Sequence, residues 1–214
     1  MVKIPLILRL KKESQKNVAR AQDIVVDELF KVFNKAVLHG GTSIWRCYQV
    51  NRFSEDVDVY IPKDLEKLNQ LFNNFMKNGF IIEKKRIRGK SLYSNLKFND
   101  FFVKFEALFK IVEGELREYE TIEGNLLTIR CLNVEDIIKE KISSYLNRLK
   151  IRDLYDVFFL LRYVKNKEII KKELRKLMSN FKKPVDEENL KILIIEGLVP
   201  NVKDMLSYIQ REAK

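Results

Sequence analysis

Two aspartates, Asp56 and Asp58, sit two residues apart in the alternating run Asp56-Val57-Asp58-Val59-Tyr60-Ile61. Alternation with period two is that of a half-buried strand, so the two carboxylates share one face while Val57, Val59 and Ile61 share the other. Like charges on one strand face repel, and burying them unpaired costs several kcal/mol. A cation would offset that cost, and the spacing suits two Mg2+ ions roughly 3.5–4 Å apart. For the pair alone, a solvated surface ladder is the other reading. A second apolar strand, Phe101 to Phe109, is interrupted at Lys104 and Glu106, again two apart on one face. If it lies beside the first strand, Glu106 completes a three-carboxylate site. Upstream, Gly40-Gly41 follow a short strand at Lys35 to Leu38 and open a helix near Thr42. Two glycines let a ligand approach the backbone, and the N–H groups of a helix start suit phosphate.

Cations are supplied further along. At about 100° per residue, a continuous helix stacks Lys141, Arg148 and Arg152 on one stripe with Tyr145 and Asp156, bordering the apolar positions Ile142, Leu146, Leu149 and Val157. A basic stripe at the edge of a buried face suits a triphosphate, although a solvated basic face explains the same pattern. Asp153 or Asp156 could equally orient Arg148 or Arg152, and a break near Leu149 would destroy the register. Lys84, Lys85, Arg86, Arg88 and Lys90 surround a Gly89 turn, a hairpin tip that either grips an RNA backbone or is simply solvated. His39 reads as a packing or hydrogen-bonding residue, Trp45 and Tyr48 as core.

These residues resemble a known family. The run Gly40-Gly41-Thr42, then Arg52-Phe53-Ser54-Glu55-Asp56-Val57-Asp58, is similar to the first motif of the DNA polymerase β-type nucleotidyltransferase superfamily, in the Arg-x-Ser-x-Asp-x-Asp form of AbiEii-type nucleotidyltransferase toxins. Glu140-Lys141-Ile142, Arg148 and Arg152-Asp153-Leu154-Tyr155-Asp156-Val157 resemble that family's later helical motif. The matches span Leu38 to Leu161, and Glu106 stands where many members carry aspartate.

The resemblance implies an α+β, polymerase β-like fold: a small mixed sheet with flanking helices, plus a C-terminal helical subdomain that closes over the nucleotide. It implies attack by an acceptor hydroxyl on the α-phosphorus of an NTP, with pyrophosphate leaving. Asp56, Asp58 and Glu106 would hold Mg2+ or Mn2+, and Lys141 and Asp156 would join them in the catalytic group. Gly40, Gly41, Thr42, Arg52, Ser54, Lys104, Arg148 and Arg152 would bind the nucleotide. The acceptor would be RNA, tRNA above all, and the setting a toxin paired with an antitoxin encoded beside it. A small-molecule nucleotidyltransferase of the aminoglycoside-modifying type and a non-catalytic RNA-binding relative are the alternatives.

The elements that must position these groups are legible in part. Helices are expected at Ser14 to Phe33 and Lys63 to Lys77, strands at Phe80 to Arg88, Ser91 to Phe98 and Phe101 to Phe109, and a further strand pair across Glu113 to Arg130. From Asn133 the pattern is helical, with breaks near Leu149, Asn166, Pro184 and Pro200. That switch predicts a mixed catalytic part over 1–132 and a helical part over 133–214. With 214 residues, 46% hydrophobic and 33% charged, the chain has the composition of a globule. Two cysteines and one histidine exclude zinc ribbons, CxxC redox sites and multi-histidine metal cages, and favour free thiols in a reducing compartment. A net charge of +11 favours a polyanionic partner. No apolar stretch approaches the roughly 18 residues of a membrane span, and a cytoplasmic location is expected.

Overall fold

The computed structural model describes residues 4–214, and the chain divides into two compact units. The first runs to Gln49 and resumes over Phe53–Leu132; the second combines Val50–Arg52 with Asn133–Lys214.

The first unit contains, in order, α1 (Leu6–Arg9), α2 (Glu13–Val32), β1 (Val37–His39), α3 (Gly40–Cys47), β2 (Val57–Ile61) and α4 (Leu65–Lys77). Five strands follow: β3 (Phe80–Arg88), β4 (Ser91–Phe98), β5 (Phe101–Phe109), β6 (Glu115–Glu120) and β7 (Leu126–Cys131). Among the described residues these strands form one mixed sheet in the order β3-β4-β5-β2-β1-β7-β6. Strand β2 runs parallel to β5 and β1 parallel to β7, while the other neighbours are antiparallel.

One face of the sheet is covered because two helices carry stripes of the right period. Helix α2 buries Val18, Ala21, Val25, Leu29 and Val32 and packs on β2 and β5. Helix α4, capped by the Asp64 carboxylate accepting from the Lys67 N–H, buries Leu68, Leu71, Phe72 and Phe75. The Phe105 ring of β5 meets Phe75 at 5.7 Å and Phe72 at 6.4 Å, both edge-on. This covered face takes Val57, Val59 and Ile61 of β2 with Val103, Phe105 and Ala107 of β5, all buried. The alternating positions Asp58, Lys104 and Glu106 are thereby turned to the other face. Cys47 and Cys131 are buried free thiols.

The second unit is helical: α5 (Val134–Arg148), α6 (Ile151–Leu160), α7 (Glu168–Ser179), the single turn α8 (Leu190–Leu193) and α9 (Val202–Glu212). Asn133 caps α5 by accepting from the Asp136 N–H at 2.8 Å. The helix stops where Leu149 adopts a left-handed conformation, φ +53°. The single stripe through Arg152 is therefore replaced by two helices that meet at a corner. Its core is mainly aliphatic, with Ile142, Leu154, Val157, Ile170, Leu174, Leu177, Met205 and Ile209 buried beside Tyr145, Tyr155 and Phe159. The short segment Val50–Arg52 joins this unit through a bridge between Arg52 and Ile194 and through the Ile195 N–H donating to the Asn51 carbonyl at 2.8 Å. No described helix is long and apolar enough to cross a membrane.

Candidate active site

Strand register builds an acidic row. Asp58 of β2 is paired with Glu106 of β5 on one side and His39 of β1 on the other, and Glu106 is paired in turn with Tyr93 of β4. Four side chains from four strands thus lie in one line across the uncovered face. Asp56 precedes the strand, and its Oδ1 lies 3.6 Å from Lys104 Nζ. The Glu106 carboxyl is held above its ordinary range, first by partial desolvation and then by the Asp58 and Asp56 carboxylates, with Lys104 and His39 acting against them. His39 stacks on Tyr60 at 4.1 Å, which fixes its ring beside Asp58.

The loop from β1 into α3 wraps this row closely. Gly40 has φ +71°, and a Cβ there would stand 2.2 Å from Asp58 Oδ2. Only glycine combines that backbone conformation with that approach. Thr42, expected at the phosphates, is instead fully buried: its hydroxyl donates to the Asp56 carbonyl and accepts from Gln22 Nε2 at 3.3 Å. Gln22 also donates to the Ser54 carbonyl at 2.9 Å. Thr42 and Gln22 therefore position the backbone that carries Ser54 and Asp56, and Ser54 itself is half-buried. Arg46, buried with its guanidinium donating to the carbonyls of Ala19 and Glu120 and to Asp23, anchors α3 and with it the Gly40-Gly41 turn.

Two cations of the later motif, Lys141 and Arg148, and with them Arg52, are spent on acids within their own unit. Arg52, expected at the nucleotide, is 2% exposed and grips Asp156 with Nε to Oδ1 at 2.5 Å and Nη2 to Oδ2 at 2.6 Å. Lys141, also buried, places Nζ 2.8 Å from Asp156 Oδ2 and 3.5 Å from Asp153 Oδ1. Arg148 makes a two-pronged contact with Asp153 at 2.7 and 2.8 Å. Asp156 thus orients Arg52 and Lys141, not Arg152. Burial alone would raise its carboxyl, but Arg52 and Lys141 hold it below the ordinary range. The corner at Leu149 causes the difference, because it folds Asp153 back against the end of α5. Arg152 is half-exposed at the start of α6 and, among the described residues, has no ion pair. Gln22 and Arg46 bear no spacing signal in the sequence; their burial is visible only once α2 and α3 are packed.

The row offers hard oxygen donors of the kind Mg2+ and Mn2+ take, and its excess negative charge fits a divalent cation. Among the described residues, however, no group of three or more His, Cys, Asp or Glu side chains converges in a ligand-like cluster. Lys104 supplies counter-charge to Asp56 in the present arrangement.

The AbiEii family, described as a nucleotidyl transferase toxin of a type IV toxin–antitoxin system, matches residues 24–205. The chain belongs to that family. It is accordingly a nucleotidyltransferase, and the match extends the motif resemblance back into α2 and forward into α9. Among solved structures, JHP933 from Helicobacter pylori is 22% identical with a TM-score of 0.62, over 94% of this chain and 91% of that one. The nucleotidyltransferase toxin MenT4 from Mycobacterium tuberculosis is 18% identical with a TM-score of 0.64, covering 92% and 81%. The antibiotic-resistance factor ANT(2'')-Ia is 14% identical with a TM-score of 0.50, covering 75% and 91%. These likenesses show a shared polymerase β-like fold. A search among curated proteins gave no significant match.

Proposed function

We propose that this chain transfers a nucleoside monophosphate from an NTP to a hydroxyl of an RNA acceptor, tRNA in particular, as the cytoplasmic toxin of a toxin–antitoxin pair. The observation that carries the reading is the register-built row of Asp58 and Glu106 with Asp56 beside it, wrapped by the Gly40 turn. Asp56, Asp58 and Glu106 would hold a divalent cation, Mg2+ or Mn2+, which when bound supplies Lewis-acid stabilisation of charge on the transferred phosphoryl group. The Gly40-Gly41 turn and Ser54 would contact the phosphates, with Lys104 adding charge-assisted hydrogen bonds. The acceptor oxygen bonds to the α-phosphorus, the bond to pyrophosphate breaks, and the hydroxyl proton passes to Glu106 as general base. Net charge of +11 favours a polyanionic acceptor over an aminoglycoside. Arg52, Lys141, Arg148, Asp153 and Asp156 serve as the ionic core of the second unit.

The test is Asp58→Asn. The variant should still unfold in a single cooperative transition while abolishing incorporation of labelled NTP into total RNA. Full incorporation by this variant, or by wild type in excess EDTA, would refute the metal assignment.

A further inference from the structure

We infer that the uncovered face of β3, β4 and β5 is a track for single-stranded RNA, leading from the β3–β4 hairpin to the carboxylate row; this rests on the RNA acceptor assigned above. Strand β3 pairs with β4 through Ile82 opposite Leu96 and then Lys84 opposite Asn95, so the register shifts at Glu83. A bulge of one residue reverses which side chains face which side. Before it, Phe80 and Ile82 point toward the covered face; after it, Lys84, Arg86 and Arg88 point to the open one. Lys85 falls on the opposite side, with Nζ 4.2 Å from the Phe72 ring of α4 and hydrogen-bonded to Asn69. The basic hairpin, exposed throughout Glu83–Arg88, is therefore a strand with its cations sorted by face.

Those cations line up with the site. Arg86 is paired with Tyr93, Tyr93 with Glu106, and Glu106 with Asp58, so one row of the sheet runs from guanidinium to carboxylate. Three strand spacings separate its ends, about 14 Å at ~4.8 Å each, the reach of about four stacked nucleotides at ~3.4 Å. Among the described residues, Lys84, Arg86 and Arg88 have no ion pair, whereas Lys104 nearer the row does. Lys84 Nζ lies 5.3 Å from the Tyr93 ring, and Phe102 on the same face is 47% exposed. Unneutralised cations interleaved with accessible aromatic rings on one sheet face match a polyanion whose bases are free to stack, which a duplex does not offer.

The experiment measures binding of a fluorescein-labelled single-stranded RNA oligonucleotide in EDTA, without NTP, as a function of salt. Replacing Lys84, Arg86 and Arg88 together by Ser should weaken binding at least tenfold at low salt. It should also reduce the slope of log K against log salt by about 2, at ~0.7 per phosphate contact. Lys85→Ser, on the other face, should change neither. Ultraviolet cross-linking of the wild type, mapped by mass spectrometry, should place RNA on Tyr93 or Phe102, a readout that needs no variant to fold. Wild-type affinity and slope in the triple variant, an equal loss in Lys85→Ser, or equal competition by fully duplex RNA would overturn the track. Because binding is read without metal or nucleotide, absence of nucleotide incorporation by a wild type that binds through this face would refute the transfer reading and leave the track standing.

Discussion

Replacing Asp156 by Asn should unfold the second unit's ionic core and not merely slow the chemistry. Asp156 is completely buried and accepts from both prongs of Arg52 and from Lys141, at 2.5, 2.6 and 2.8 Å. Asparagine preserves the shape and one acceptor but removes the charge, so the Arg52 guanidinium at 2% exposure loses the carboxylate it grips with both prongs. Removing one partner of a buried ion pair costs about 3–5 kcal/mol, a large fraction of the ~5–15 kcal/mol that holds a protein of this size together. At about 2–4 °C per kcal/mol, the melting temperature should fall by about 6–20 °C, read by far-ultraviolet circular dichroism. The double variant Arg52→Met, Asp156→Leu should regain the part of that loss due to Arg52 but not all of it, because buried Lys141 then keeps only Asp153 at 3.5 Å. An Asp156→Asn protein that melts within about 1 kcal/mol of the wild type yet transfers no nucleotide would refute this reasoning and return Asp156 to the catalytic group.

The same carboxylate gives a pH dependence. Its folded-state affinity for protons is depressed by Arg52 and Lys141, so its stabilisation is complete above the ordinary value near ~3.9 and is lost as pH falls through the lower folded value. Below about pH 4 the urea midpoint should drop more steeply in wild type than in Asp156→Asn. For the Gly40 turn, Gly40→Ala and Gly89→Ala both place a Cβ at positive φ, +71° and +51°, but only the first meets anything, at 2.2 Å from Asp58. Each should lose about 1–2 kcal/mol from backbone strain by urea titration; Gly40→Ala should lose more, because Asp58 must shift, and it alone should also lose nucleotide transfer, by tenfold or more.

What the sequence discloses depends on the range of the interaction involved. Alternation in Asp56 to Ile61 and Phe101 to Phe109 is local, so the two strand faces and their carboxylates are legible; that Asp58 stands opposite Glu106 is a matter of parallel pairing between segments 48 residues apart, which alternation leaves open. Helix periodicity finds α2 and α4, but extending it through Leu149 puts Lys141, Arg148 and Arg152 on a single stripe that the left-handed turn abolishes. Charged residue types suggest solvent, and Arg52 and Lys141 defeat that inference because their counter-ions come from α6. The bulge at Glu83 has no composition of its own: Ile82-Glu83-Lys84 reads as uninterrupted strand, and only the pairing with β4 reveals which cations face the acids.

The passage of Val50–Arg52 through the second unit has a consequence for synthesis. The residues that lead into the Ser54-to-Asp58 run are anchored by a carboxylate that lies 104 positions further along the chain. At about 5–20 residues per second, roughly 5–20 s separate the emergence of Arg52 from that of Asp156. During that interval the Arg52 guanidinium of a nascent chain lacks the carboxylate with which it is buried in the folded second unit. Cutting the gene between Leu132 and Asn133 would strand the same three residues, so the two units, distinct as folded bodies, are inseparable as genetic segments.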